Sequence, residues 1–216
     1  MGALAVGRLS GVEAVTIDAF GTLVELADPV PALRELLRTR VVERSREEVA
    51  QAFAAEITYY RAHSIEGRDD ESLATLRRDC AAVFLDAAGA ELSPEEFAPH
   101  FTAALEFRLL DGAADALEQL STRGLPLGVV SNWDSELPVI LERLGIGGYF
   151  RAVVTSARAG SPKPAPRIFE LALERLDVPA ERAVHVGDDP ADEAGARAAG
   201  MRFVPAPLEN LFEACE

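Results

Sequence analysis

Asp18 closes the run Val15-Thr16-Ile17, an apolar, β-branched stretch that reads as a buried strand ending on a carboxylate. Gly21 follows, which lets the backbone turn sharply, and then Thr22, a hydroxyl donor; both are placed to approach an anion. Two later strand-like runs also end in polar residues, Pro126–Val130 in Ser131-Asn132 and Ala183–Val186 in Gly187-Asp188-Asp189, with Asp192 close behind. Between them a Gly/Pro-rich loop, 160–166, holds Lys163, the sole lysine among 21 basic residues. A lysine kept where Arg is otherwise used throughout indicates a site that wants an amine point charge and not a planar fork. Carboxylates brought close together are costly unless a cation sits among them. A hard divalent ion such as Mg²⁺ takes oxygen ligands and suits phosphate chemistry.

Those residues meet only if their strands share one edge. From Asp111 on, helical and strand patterns alternate: helix 111–123, strand 126–130, helix 136–144, strand 152–155, helix 167–176, strand 183–186, helix 192–199, strand 202–204 and a last short helix 208–213. This alternation predicts an α/β fold with a doubly wound parallel sheet, in which ligands bind beyond the carboxyl ends of the strands. Residues 28–108, between the first two strands, read as helical. Pro29 and Pro31 open a helix with Leu33, Leu36 and Leu37. The capping box Ser45–Glu48 opens a second, with Val49, Phe53, Ile57 and Tyr60 on one face. A third starts at Asp70 or Ser72, carries Leu73, Leu76, Cys80, Val83 and Phe84, and stops at Gly89. Ser93 caps a fourth, carrying Phe97, Phe101, Leu105 and Phe107. A connection within a compact domain is about 2–6 residues, so this stretch is expected to be an inserted helical bundle lying over the active end.

The four motifs in this order, with an insertion after the first, resemble the haloacid dehalogenase-like (HAD) superfamily. Asp18-Ala19-Phe20-Gly21-Thr22 resembles its first motif, Ser131-Asn132 its second, Lys163-Pro164 its third, and Gly187-Asp188-Asp189 with Asp192 its fourth. Gly195-Ala196-Arg197-Ala198-Ala199-Gly200 is similar to the helix that follows. The resemblance covers the whole chain. It implies a Rossmann-like core over residues 1–26 and 109–216 and a helical C1-type cap, subfamily I, over 27–108. It also implies Asp18 as nucleophile, Thr22 and Ser131 holding the transferring group, and Lys163 neutralising charge. Asp188 would bind Mg²⁺ with Asp18 and the Phe20 backbone carbonyl, supported by Asp189 or Asp192; Asp192 is the better candidate to reach Lys163. Gly21, Asn132 and Trp133 are expected to face substrate. The substrate class implied is a small phosphorylated metabolite.

Phe20 departs from that pattern. Phosphatases of the superfamily usually carry a second Asp there, as general acid for the leaving oxygen, and Phe cannot transfer a proton. General acid–base catalysis is worth about 10²–10⁴-fold, so acyl and aryl phosphates are expected to outperform alkyl esters. An aromatic at this position is also typical of the 2-haloacid dehalogenase branch, whose Asp attacks carbon without a metal. Asp188 and Asp189 weigh against that alternative, because acidic groups there repel a haloacid carboxylate. Gln51, where the branch has a carboxylate-gripping Arg, weighs the same way, although Arg61 is close in sequence. A receiver-type phospho-acceptor, with its acidic residues in the reverse order, and a degenerate scaffold that only binds a ligand rank below both.

The remaining candidates have plainer readings. His185, inside a strand, reads as a packed core histidine, and Cys80 as core. Tyr59, Tyr60, Arg61, His63 and Arg68 read as helix-surface residues. Net charge is −15 with pI near 4.6, which disfavours nucleic acid and anionic membranes as partners. Two distant cysteines, Cys80 and Cys215, give no disulfide framework or metal cluster, and Met1–Val15 is a poor signal peptide. A cytoplasmic monomer or homodimer is expected.

Overall fold

The computed structural model describes residues 8–213, so Cys215 and the first part of Met1–Val15 lie outside the described residues. The run ending at Asp18 forms β1 (Ala14–Ile17), every residue of it buried. β2 (Val24–Leu26) follows a tight turn. The helical stretch contains α1 (Val30–Arg38), α2 (Arg46–His63), α3 (Asp70–Ala87) and α4 (Pro94–Ala103). Then come β3 (Phe107–Leu109), α5 (Ala113–Thr122), β4 (Leu127–Ser131), α6 (Leu137–Arg143) and β5 (Phe150–Thr155). The chain finishes through α7 (Ser156–Ala159), α8 (Arg167–Leu176), β6 (Ala183–Gly187), α9 (Pro190–Ala198) and β7 (Arg202–Pro205). Residues 208–213, read as a short helix, form a 3₁₀ turn over Leu208–Phe212. The chain divides into two compact units: residues up to Glu25 with those from Leu109 on, and Leu26–Arg108.

The first unit is built on a five-stranded sheet in the order β5-β4-β1-β6-β7, with every neighbouring pair parallel. Ile17 stands opposite Val129 on one side and Val186 on the other, which brings the carboxyl ends of the three central strands level. From β1 the chain moves outward to β4 and β5, then returns to lay β6 against the other side of β1. The strand order therefore reverses between β1 and β6, the position where open α/β sheets bind ligands.

The helical unit has its own core, in which Leu33, Leu37, Val49, Phe84, Phe97 and Phe101 are buried together. The rings of Phe84 and Phe97 stack at 5.9 Å, and Phe101 lies tilted 5.0 Å from Phe84. Ser45 caps α2 through the capping box with Glu48. Three features depart from the sequence reading. Phe107 lies in β3, which pairs with β2, and not on α4, which ends at Ala103. On α2 the fully packed face takes in Glu56, only 4% exposed, while Ile57 and Tyr60 are partly buried. On α3 Leu85 is buried and Val83 only partly so.

Candidate active site

The turn after β1 places the first set of groups. Gly21 adopts φ +81°, which favours glycine. Its backbone lies against the Asp188 carboxylate, where a Cβ would collide with Asp188 Oδ2. Glycine here thus does two things: it reverses the chain, and it lets the β1 and β6 ends close on one another. Thr22, buried behind the turn, donates its hydroxyl to Asp188 Oδ1 at 3.3 Å. Phe20 turns outward, 43% exposed, with its ring 6.4 Å from that of Trp133.

Lys163 comes from the loop before α8. Asn132 holds that loop with both ends of its amide: its Oδ1 accepts from the Lys163 backbone N–H at 2.7 Å and its Nδ2 donates to the Lys163 carbonyl at 3.1 Å. The Lys163 ammonium, almost fully buried, then stands 2.7 Å from Asp18 Oδ1 and 2.6 Å from Asp192 Oδ1. The Ala19 N–H also donates to Asp18 Oδ1, at 2.7 Å, and the Ser131 hydroxyl hydrogen-bonds the same carboxylate.

Burial sets the electrostatics. It pushes the Asp18 carboxyl up, a larger effect than the lowering by Lys163, and the Asp192 charge adds to the rise. Burial likewise raises Asp188. Burial works against the Lys163 charge, but Asp18 and Asp192 together overcome it and hold the amine above its usual range. Asp192 is also penalised by burial, yet its hydrogen bond from His185 and the charge of Lys163 keep it below the usual carboxylate range.

Carboxylate oxygens of Asp18, Asp188 and Asp192 lie within 4.8 Å of one another. Asp192 is committed to Lys163 and His185, which leaves Asp18 and Asp188 as the pair facing a common point. Two carboxylates that are costly as anions and lie close together, one against the Gly21 turn that follows the other, fit a hard divalent cation.

The structure brings Asp18, Gly21, Thr22, Ser131, Lys163, Asp188 and Asp192 together. It places other candidates differently. Asn132, expected to face substrate, positions the Lys163 loop, because its amide matches the backbone N–H and C=O of Lys163. Asp189, expected near the metal, is the exposed N-cap of α9 and accepts from Ala191 N–H at 2.8 Å. Trp133 is 6% exposed and packs with Phe20. His185 is wholly buried as expected, but it is not mere filler: Nε2 lies 2.9 Å from Asp192 Oδ1 and Nδ1 lies 2.9 Å from Thr16 Oγ1. The sequence carried one signal for it: with period-two alternation His185 falls on the same strand face as Gly187, which packs on Asp192.

A parallel sheet whose carboxyl edge gathers an aspartate, a lysine and a second acidic motif at its switch point is the arrangement of an α/β hydrolase core. The chain belongs to the haloacid dehalogenase-like hydrolase family, whose model matches residues 12–200. It is 44% identical to human haloacid dehalogenase-like hydrolase domain-containing protein 3 over 108 residues, 50% of this chain and 43% of that protein. It is 42% identical to ribulose-1,5-bisphosphate 5-phosphatase of Halopiger xanaduensis over 101 residues, 46% of this chain and 42% of that protein. The chain thus spans less than half the length of these relatives. Among solved structures, 2-haloacid dehalogenase from Pseudomonas syringae pv. Tomato DC3000 is 27% identical with a TM-score of 0.62, covering 89% of this chain and 85% of that one.

Proposed function

We propose that this hydrolase is a Mg²⁺-dependent phosphatase that works through an aspartyl-phosphate on Asp18, acting on a small phosphorylated metabolite with a good leaving group. The observation that carries the reading is the Lys163 ammonium 2.7 Å from Asp18 Oδ1, with the Asp188 carboxylate across the Gly21 turn. The phosphatase name of one relative supports it. Leu26–Arg108 is then the family's C1-type cap and the other unit the catalytic core.

Asp18, Asp188 and the Phe20 carbonyl would hold Mg²⁺, which supplies charge neutralisation for carboxylates and phosphoryl oxygens alike. Asp18 attacks phosphorus in line, forming the Asp18 O–P bond as the P–O bond to the leaving group breaks. Lys163 offsets negative charge at the nucleophile, and Thr22 and Ser131 donate hydroxyl hydrogens to phosphoryl oxygens. With Phe20 where an acid would stand, the leaving oxygen departs as an anion and takes its proton from solvent. Water then attacks phosphorus, inorganic phosphate leaves, and the Asp18 carboxylate is restored.

Phosphate release from acyl, aryl and alkyl phosphates, with and without Mg²⁺, tests this. Asp18→Asn should lower the rate by on the order of 10³-fold or more, and aryl and acyl substrates should outrun alkyl ones. The aromatic at position 20 favours one second reading, 2-haloacid dehalogenation, in which Asp18 attacks carbon and displaces halide. Halide release from 2-chloropropionate in EDTA, with no Mg²⁺-dependent phosphate release, would establish that reading and remove the first.

A further inference from the structure

We propose that His185 is a positioning residue for this reaction: through Asp192 it fixes where the Lys163 ammonium stands against Asp18. The inference rests on the phosphatase reading for its kinetic half only.

The geometry is a continuous buried chain. The Thr16 hydroxyl lies 2.9 Å from His185 Nδ1, and His185 Nε2 lies 2.9 Å from Asp192 Oδ1. An ionised carboxylate only accepts, so the proton between His185 and Asp192 is on Nε2. Nδ1 of the neutral ring is then an acceptor, and the Thr16 hydroxyl donates to it. Asp192 Oδ1 takes a second donor, the Lys163 ammonium at 2.6 Å, while its Oδ2 accepts from the Asp189 N–H at 3.2 Å. Lys163 in turn reaches Asp18.

Each member is held from behind. The His185 ring meets the Phe169 ring edge-on, with centroids 4.9 Å apart at 88°. Glycines let the helix close on this chain: a Cβ at Gly195 would collide with the Phe169 ring and sit 3.1 Å from the Pro164 carbonyl, and one at Gly187 would collide with the Asp192 carboxyl. Thr16, His185 and Asp192 are each 0% exposed, so no solvent can stand in for a lost donor. A lysine ammonium on a four-carbon stem has no intrinsic fixed position. Here Asn132 fixes its backbone and Asp192 its charge, and His185 on Oδ1, with the Asp189 N–H on Oδ2, keeps the Asp192 carboxylate from turning.

The test compares the full chain with His185→Leu, which keeps the apolar bulk and removes both nitrogens, and His185→Gln, whose amide N–H can replace Nε2–H. Loss of such outer support costs about 10–100-fold, so His185→Leu should lower kcat by that factor with KM changed less than about threefold. His185→Gln should recover most of the loss. An equal kcat loss in both variants, or a loss borne by KM, overturns the proposal. Because Lys163 is the only lysine, labelling with ¹⁵N-lysine gives a single side-chain ammonium signal from this chain. That signal should be slow to exchange in the wild type and in His185→Gln, and shifted and fast to exchange in His185→Leu. An ammonium signal unchanged in His185→Leu overturns the proposal whatever the assay reads. Should no form of the protein release phosphate while the signal behaves as expected, the phosphatase reading fails and the positioning of Lys163 by His185 holds.

Discussion

On the proposed phosphatase reading, Phe20 sets which leaving groups the site serves. Its ring is turned out and 43% exposed, so a carboxylate side chain fits the same position without entering the core. Phe20→Asp should raise the alkyl-to-aryl ratio of kcat by at least about tenfold, the low side of what general acid catalysis supplies; rates across a series of leaving groups check this. Gly21 allows no such latitude. An alanine there meets both the +81° φ and the Asp188 carboxylate, so Gly21→Ala should cost more than about 1 kcal/mol of stability and, on the proposed reading, most of the phosphate release, read by urea titration and phosphate assay. The sequence shows Gly21 as a turn. That the same glycine is also the contact between the β1 and β6 ends follows only from strand order.

At the scale of the element, the helical unit is held by rings. Phe84 is wholly buried among Phe97 and Phe101, and Phe84→Ala should destabilise α3 and α4 by about 3–5 kcal/mol, read from urea unfolding. A chain of two compact units need not unfold in one step, so that transition is the one to follow. Glu56 makes this unit pH-dependent. Burial pushes its carboxyl up to about 7, with a hydrogen bond to the Cys80 thiol pulling the other way. A carboxyl raised from 4.5 holds its proton more tightly in the folded state. Its contribution is therefore full below about pH 4.5, falls as pH rises towards about 7, and is level above that. Glu56→Gln, neutral throughout, should gain on the wild type across that window by up to about 3 kcal/mol and keep a constant lead above it. A gap independent of pH would show that Glu56 stays ionised. Sequence periodicity placed Ile57 on the packed face and missed Glu56, because a carboxyl enters a helix core only where the neighbouring helix supplies a partner.

For the molecule as a whole, Asp18 and Asp188 are costly anions at one switch point, and the divalent ion of the proposed reading would offset both. Mg²⁺ at about 100 times its Kd should stabilise the folded chain by about 2.7 kcal/mol, seen as a rise in Tm that EDTA reverses and Asp188→Asn abolishes. No helix among the described residues is long and apolar enough to cross a membrane. The alternation of apolar runs and capped helices determined by itself the parallel sheet, the helical insertion and the place of Asp18 at a strand end, because strand ends and caps are written in neighbouring residues. The pairing of β2 with β3, the use of Asn132 as a clamp on the Lys163 loop and the chain from Thr16 through His185 to Asp192 were decided by the tertiary structure. Each joins groups that sequence distance keeps apart, and only the order of strands in the sheet says which polar side chain finds which partner once water is gone.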